Sequence, residues 1–333
     1  MTECLIIGSG IVGLVTAYEL RKSGCKITVI ESQRSGQASK SAAGILFPIN
    51  PWENKKNMQD LCIAGHKEYN LFFNYFSKKE QDKIGFEKKD LLLFGKKIDL
   101  AKKWYEDRKD IKSEFNNKNV NTIERNIKEY HKDFLKISDV NVINPEKFII
   151  FLKNLLLKDG VRFSGEKIEK LDLFLKNKKS ISYDYIIISA GAWSKNILDK
   201  ENIKLKPIKG QLLHIKSKKK LIENILIYEN YYILQKKNNE VIIGSTLEDV
   251  GFEEGVTESA KDYLIKPLSD IFLDKFDILS LKQTYGFRPY SNQDEPYVCL
   301  DSNNSRVIYN FGHYRYGILA ALPSAKIVNK LIN

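Results

Sequence analysis

Gly8-Ser-Gly10-Ile-Val-Gly13 follows a short apolar run and precedes a helical pattern, and Glu31 stands eighteen residues beyond the third glycine. Alone, a G-x-G-x-x-G is a weak signal. Between a strand and a helix, with an acid at this distance, it is a dinucleotide fingerprint. Gly8 would permit the tight turn and Gly10 would let the backbone approach a pyrophosphate at the helix N-terminus. Gly13 would let helix and sheet pack closely. Glu31 could accept hydrogen bonds from the adenosine ribose hydroxyls.

A second set of residues suits an anion. Of 54 basic residues only eight are arginine. Where lysine is the default cation, an arginine suggests a need for its planar fork. Arg288 lies in Gly286-Phe-Arg-Pro289, and Arg315 lies in Gly312-His-Tyr-Arg-Tyr-Gly317. A guanidinium grips a carboxylate through two parallel hydrogen bonds. Two arginines in glycine-flanked segments therefore point to an anionic substrate near the nucleotide. His313 fits either a structural role or proton chemistry. Ser39-Lys-Ser-Ala-Ala-Gly-Ile-Leu-Phe-Pro48 is a small-residue stretch, which would let the chain pass close to a flat ring or a pyrophosphate. Pro207-Ile-Lys-Gly-Gln211 and the segment Gly244 to Phe252 read as strand-edge and loop signals without chemistry of their own.

The elements that must position these residues follow from pattern and punctuation. Residues 3–9 read as a buried strand, Ile11 to about Ser23 as a helix stopped by Gly24, and Cys25 to Ile30 as a second strand. That is a βαβ unit, which implies a parallel sheet. The stretch from about Asn50 to Phe134 is rich in lysine, aromatics and helical spacing. Asn144 can cap a helix with Pro145 in its first turn, running to Lys158 and stopped by Gly160. Val161-Arg-Phe and Tyr185-Ile-Ile-Ile read as strands. From Gln211 to about Tyr285 the pattern is mostly strands: Leu212–Ile215, Tyr231–Gln235 and Val241–Gly244. Val307–Phe311 is a last strand and Ile318–Ile332 a last helix, with Pro323 near its first turn.

Glycine-ended apolar strands thus recur at the start, middle and end of the chain. The expected fold is α/β (α+β overall): a Rossmann-like nucleotide-binding domain interleaved with a substrate domain on a mostly antiparallel sheet. The boundaries expected are 1–80, 140–200 and 285–333 for the first, and 81–139 with 201–284 for the second. A nicotinamide domain usually completes its sheet in one contiguous stretch, so this split arrangement favours FAD.

Composition bounds the rest. The chain has 333 residues, 43% hydrophobic and 29% charged, which excludes a disordered or fibrous protein. No apolar run reaches membrane-helix length; Phe148–Leu157 is interrupted by Lys153. The N-terminus lacks a basic signal-peptide region, and a cytoplasmic location is expected. Cys4, Cys25, Cys62 and Cys299 form no CxxC pair, so no metal site or disulfide framework is indicated. The net charge of +12 invites a nucleic-acid reading, but acids interleave with the lysines in the densest stretch, Lys96–Lys136. No nucleic-acid partner is expected.

Taken in order, these motifs resemble the D-amino-acid oxidase superfamily of FAD-dependent amine oxidoreductases, and within it the glycine oxidase family of the thiamin pathway. The resemblance spans nearly the whole chain. It adds Ser41-Ala-Ala-Gly-Ile-Leu-x-Pro48, Ala190-Gly-Ala-Trp-Ser194 and Gly312-His-Tyr-Arg-x-Gly-Ile318 to the glycine turn and the G-x-R-P element. It implies that Arg288 binds the substrate carboxylate, with Tyr232 donating a further hydrogen bond. It places Ile11, Val12, Glu31 and Ser32 at the adenosine and pyrophosphate, and Ala38, Ser39, Ala43, Gly44 and Ile45 along the cofactor. Lys167 falls where the family contacts adenine through the backbone. The segment His313, Tyr314, Arg315, Tyr316, Gly317, Ile318 and Leu319 would approach flavin and substrate. The chain departs from the family at Tyr316, where asparagine is common, and at Leu247, Gln235 and Cys299.

The implied reaction is oxidation of the C–N bond of glycine or a small D-amino acid, by hydride transfer from Cα to flavin N5. Oxygen or another acceptor takes the electrons, and the imine is hydrolysed or passed to thiazole synthesis. Self-association is expected by the same resemblance. The competing readings are a D-amino-acid dehydrogenase with a quinone acceptor, an RNA-modifying oxidase, and an FAD-binding scaffold without catalysis.

Overall fold

The computed structural model describes residues 1–129, 131–273, 277–292 and 295–333. Its strands form two sheets. The first contains β1 (Glu3–Ile7), β2 (Lys26–Ile30), β6 (Arg162–Ser164), β7 (Tyr185–Ile188), β13 (Tyr297–Leu300) and β14 (Val307–Phe311). Their order is β13-β14-β7-β1-β2-β6, parallel except for β13 against β14. The second contains β3 (Glu87–Phe94), β4 (Ser113–Asn119), β5 (Lys132–Val142), β8 (Leu205–Ser217), β9 (Ile225–Tyr228), β10 (Tyr231–Gln235), β11 (Glu240–Gly244) and β12 (Ile278–Ser291). Its order is β12-β8-β11-β10-β9-β3-β5-β4, antiparallel apart from β3 with β9.

Local chemistry sets the helix ends. The first helix, α1 (Ile11–Lys22), stops before Gly24, whose φ of 87° suits only glycine well. Between the sheets' strands run α2 (Lys56–Asn74), α3 (Lys78–Ile84) and α4 (Ile98–Glu106). A capping box of Ser77 and Glu80 starts α3. The helix α5 (Pro145–Lys158) begins where Asn144 Oδ1 accepts the Lys147 N–H at 3.0 Å. Short helices α6 (Leu171–Leu175) and α7 (Ser194–Leu198) follow. Thr257 caps α8 (Glu258–Ile271), and α9 (Ala321–Ile332) closes the chain.

The parallel sheet is buried on both faces, as parallel sheets require. On one side Cys4, Ile6, Ile27 and Val29 pack with Leu14, Phe148, Leu152 and Leu322 from α1, α5 and α9. On the other, Leu5, Ile7, Ile186 and Ile188 pack with Phe174 and Ile197 from α6 and α7. The larger sheet is also covered twice, by α4 with Ala101 and Tyr105 on one face and by α8 with Leu264 and Leu268 on the other.

Three features differ from the sequence reading. The helix α8 lies inside a stretch that reads as strands, and it contains Pro267. The strands β3 and β4 lie inside the lysine-rich block that reads as helical, and β5 starts at its end. A boundary at residue 285 falls within β12, whose residues Ile278–Ser291 pair with β8 throughout. Residues 285–291 therefore belong to the larger sheet by hydrogen bonding.

Candidate active site

In the parallel sheet the chain turns from β1 to β2 on one side and re-enters at β7 on the other. Such a switch point opens a crevice beyond the carboxyl ends of the strands. Here Ile7 and Gly8 leave β1, Ile30 leaves β2, Ser189 and Ala190 leave β7, and Phe311 ends β14. All of them line one cavity of about 730 Å³. The larger sheet supplies the opposite wall, through Gly210, Tyr232, Gly286 and Arg288.

The glycine turn is built by contact. Gly8 has φ 118°, and a Cβ there would stand 2.4 Å from Ser189 O. A Cβ on Gly13 would stand 1.9 Å from Gly8 O, so α1 rests directly on the turn. Gly10 differs: a Cβ would meet only Ser39 Oγ at 3.5 Å. Its missing side chain leaves open space at the helix N-terminus, which carries no side-chain cap of its own. Ser39 Oγ accepts the Ile11 N–H at 3.2 Å, which ties the small-residue stretch to the start of α1.

The two substrate-side residues also stand over glycines. A Cβ on Gly210 would lie 2.0 Å from Arg288 Nη1, and one on Gly244 would lie 2.2 Å from Tyr232 Cζ. Only a bare backbone on β8 and β11 lets these side chains lie flat toward the cavity. Arg288 Nη1 donates to Thr246 O at 3.0 Å. Among the described residues no carboxylate lies within ion-pair distance of Arg288. Burial lowers the Arg288 pKa, but a guanidinium stays charged at neutral pH. Burial raises the Tyr232 pKa, so its hydroxyl stays a proton donor.

The segments 207–211 and 244–252, which read as inert, hold this geometry. Gln211 N donates to Thr246 Oγ1 at 2.8 Å, and Gln211 Nε2 donates to Glu248 Oε1 at 3.0 Å. Lys209 and Glu248 exchange two backbone hydrogen bonds of 2.9 Å. The carbonyl that receives Arg288 is thereby fixed.

The other predicted residues divide. Ile11, Val12, Ser32, Ala38, Ser39, Ala43, Gly44 and Ile45 line the cavity, as do His313, Tyr314, Arg315, Tyr316, Gly317, Ile318 and Leu319. Gly44 is explained by packing, because a Cβ there would stand 2.1 Å from Ile143 O. Glu31 does not line the cavity; it pairs with Lys153 Nζ at 2.5 Å. The Lys167 side chain pairs with Glu169 outside, and Ile168 lines the cavity instead. His313 is buried, its Nε2 2.8 Å from Ser324 Oγ, and burial pushes its pKa down to about 4. It is a neutral structural ring at pH 7. Arg315 pairs with Glu53 at 2.9 Å. The Tyr316 hydroxyl donates to Ile49 O at 2.6 Å and accepts from Asn54 Nδ2 at 3.0 Å. Leu247 lines the cavity at its exposed edge. Gln235 is buried and accepts the Leu221 and Ile222 N–H groups, a structural role.

Sequence reading missed the orphaned polar atoms. Ser189 Oγ, Asn310 Oδ1 and Asn50 Oδ1 are buried without a hydrogen-bond partner, and all three residues line the cavity. Such atoms are costly unless a ligand or water meets them. Ser189 was within reach of sequence reasoning, since it ends the apolar strand before Ala190-Gly. Together with the open space at Gly10, these atoms fit a large polar cofactor.

A glycine turn at a switch point, facing a larger sheet that presents Arg288 with no carboxylate in ion-pair distance among the described residues, fits a dinucleotide-dependent enzyme. The FAD dependent oxidoreductase family model matches residues 3–331, and the chain belongs to that family. Its cofactor is FAD. The chain is similar to a glycine oxidase of Pseudomonas aeruginosa, 24% identical over 99% of this chain and 94% of that one. The fold is similar to the crystal structure of glycine oxidase from Bacillus cereus (TM-score 0.85, 20% identity, covering 100% of this chain and 95% of that one). It is equally similar to iminodiacetate oxidase from Chelativorans sp. BNC1 (TM-score 0.86, 18% identity, covering 99% and 95%). This protein is a FAD-dependent oxidoreductase similar to glycine oxidases. No helix among the described residues is long and apolar enough to cross a membrane.

Proposed function

We propose that this enzyme oxidises glycine or another small amino acid to its imine, with Arg288 as the carboxylate anchor. The observation that carries this reading is the Arg288 guanidinium, charged and with no carboxylate within ion-pair distance among the described residues, beside Tyr232 in the same cavity as the glycine turn. A partly buried charge without a counter-charge is costly, and a substrate carboxylate would relieve that cost.

The residues at Gly8–Gly10, Ile11, Val12, Ser39 and Ser189 would hold FAD, which supplies two-electron acceptance when bound. The protein's own work is then orientation. Arg288 and Tyr232 fix the carboxylate, which fixes the direction of the Cα–H bond. His313, buried and hydrogen-bonded to Ser324, keeps its ring neutral and adds no cation against the substrate amine. The substrate amine must be neutral to give up electrons, so turnover should rise as the solution pH approaches the amine pKa. The C–N bond loses two electrons and two hydrogens, and the imine hydrolyses to the oxo acid and ammonia. For glycine the imine would serve thiazole synthesis, with oxygen as the electron acceptor.

The test is product analysis with purified enzyme and glycine in air. Glyoxylate, ammonia and peroxide in equal amounts are expected. Oxidised product that forms only with an added quinone would instead favour the dehydrogenase reading.

A further inference from the structure

The exposed end of the cavity is charged differently from the part that holds Arg288. Arg315 Nη2 donates to Glu53 Oε2 at 2.9 Å. Glu53 Oε1 accepts Lys97 Nζ at 2.8 Å and Asn50 Nδ2 at 3.1 Å. Lys97 also donates to Asn230 Oδ1 at 3.0 Å. Four separate segments are thus tied around one carboxylate. Burial pushes the Glu53 pKa up, but Lys97 and Arg315 outweigh burial and hold it below the usual carboxylate range. Glu229 lies at the same end, where its carboxylate accepts the Lys96 N–H at 3.0 Å. Glu53, Glu229 and Arg315 line the cavity, and Lys97 does not. The charges facing a substrate there are two carboxylates and one guanidinium, and that guanidinium is already engaged.

We propose that Glu53 sets specificity: by occupying Arg315, it restricts the site to amines with one carboxylate and rejects those with two. The proposal rests on the reading of Arg288 as the anchor for the first carboxylate. A second carboxylate on the same substrate would have to compete with Glu53 for Arg315 and would lie beside two anions. Like charges set against the wrong ligand are an effective way to discriminate. Glycine meets none of this. Iminodiacetate, which carries a carboxymethyl group on the same nitrogen, meets all of it.

The holoenzyme would be assayed with glycine and with iminodiacetate. In the wild type, kcat/KM for iminodiacetate should lie about tenfold or more below that for glycine. Equal values would overturn the proposal without any variant. Glu53→Gln keeps the shape and removes the charge. It should raise the iminodiacetate-to-glycine ratio by about tenfold or more, mainly through KM. The double variant Glu53→Gln/Arg315→Gln should lose that gain. A ratio unmoved by Glu53→Gln, or a gain that survives the loss of Arg315, would overturn the proposal. If the wild type oxidises glycine with no dependence on Glu53, this inference alone falls. If the wild type oxidises neither compound, the anchor reading falls and takes this inference with it.

Discussion

At the scale of single residues, substrate binding depends on Arg288 and what surrounds it. Arg288→Ala should leave the protein folded and yellow, and should raise the apparent KM for glycine by about a hundredfold or more, as expected for a recessed charge pair that loses one partner. Steady-state kinetics together with the flavin spectrum check this. The same side chain can be disturbed without touching it. Gly210→Ala would put a Cβ 2.0 Å from Arg288 Nη1, so the guanidinium must move. Its effect should resemble Arg288→Ala in KM and again spare flavin content. His313 gives a pH prediction. Its folded pKa of about 4 lies below the ordinary 6.5. Between those values the unfolded chain binds a proton that the native state refuses. The His313 contribution is therefore complete above pH 6.5 and is lost as pH falls through about 4, by about 3 kcal/mol. Denaturant melts of His313→Gln should show a flatter fall in stability across that window than the wild type. An identical fall in both proteins would contradict the assignment.

At the scale of elements, the second and third glycines of the motif, Gly10 and Gly13, should behave in opposite ways. Gly10→Val adds a side chain into open space, so the chain should fold but retain no FAD. Gly13→Ala would drive a methyl into Gly8 O, so it should lower thermal stability itself. Comparing melting and flavin content of both variants tests the division of labour within one motif. These elements were legible because punctuation marks them: Gly24 ends α1, and Asn144 with Pro145 starts α5. What was not legible has a physical cause. β3 opens on the charged run Glu87-Lys-Lys-Asp90 and β4 reads Ser-Glu-Phe-Asn-Asn-Lys-Asn, so neither shows the apolar–polar alternation that marks a strand. The helix α8 carries Pro267 inside it, and tertiary packing of Leu264 and Leu268 on the larger sheet holds it. The arginines, the tyrosine and the glycine turn could be named from sequence. The service of Gly210, Gly244, Gln211 and Thr246 could not, because it exists only across paired strands. Glu53 and Asn50 were missed for a similar reason. Glu53 meets Lys97 and Arg315 across long chain separations, and Asn50 joins that group through its hydrogen bond to Glu53.

At the scale of the whole molecule, the cavity forms where two sheets face each other, and neither sheet alone supplies both halves of the chemistry. The parallel sheet brings the glycine turn and the orphaned Ser189 and Asn310. The larger sheet brings Arg288 and Tyr232. The net charge of +12 does not gather into this arrangement. In the lysine-rich stretch Lys97, Lys112 and Lys136 are each paired with an acid. The central claim is that one cavity holds both the cofactor and a small amino acid. Titrating glycine into the purified protein without oxygen, while recording its absorption spectrum, tests that claim most directly. Flavin bands are expected at the start, and they should bleach as glycine is added. Bands that persist with glycine but bleach with D-alanine or D-proline would contradict the proposed substrate. A protein that shows no flavin even after incubation with FAD would contradict the account at its root.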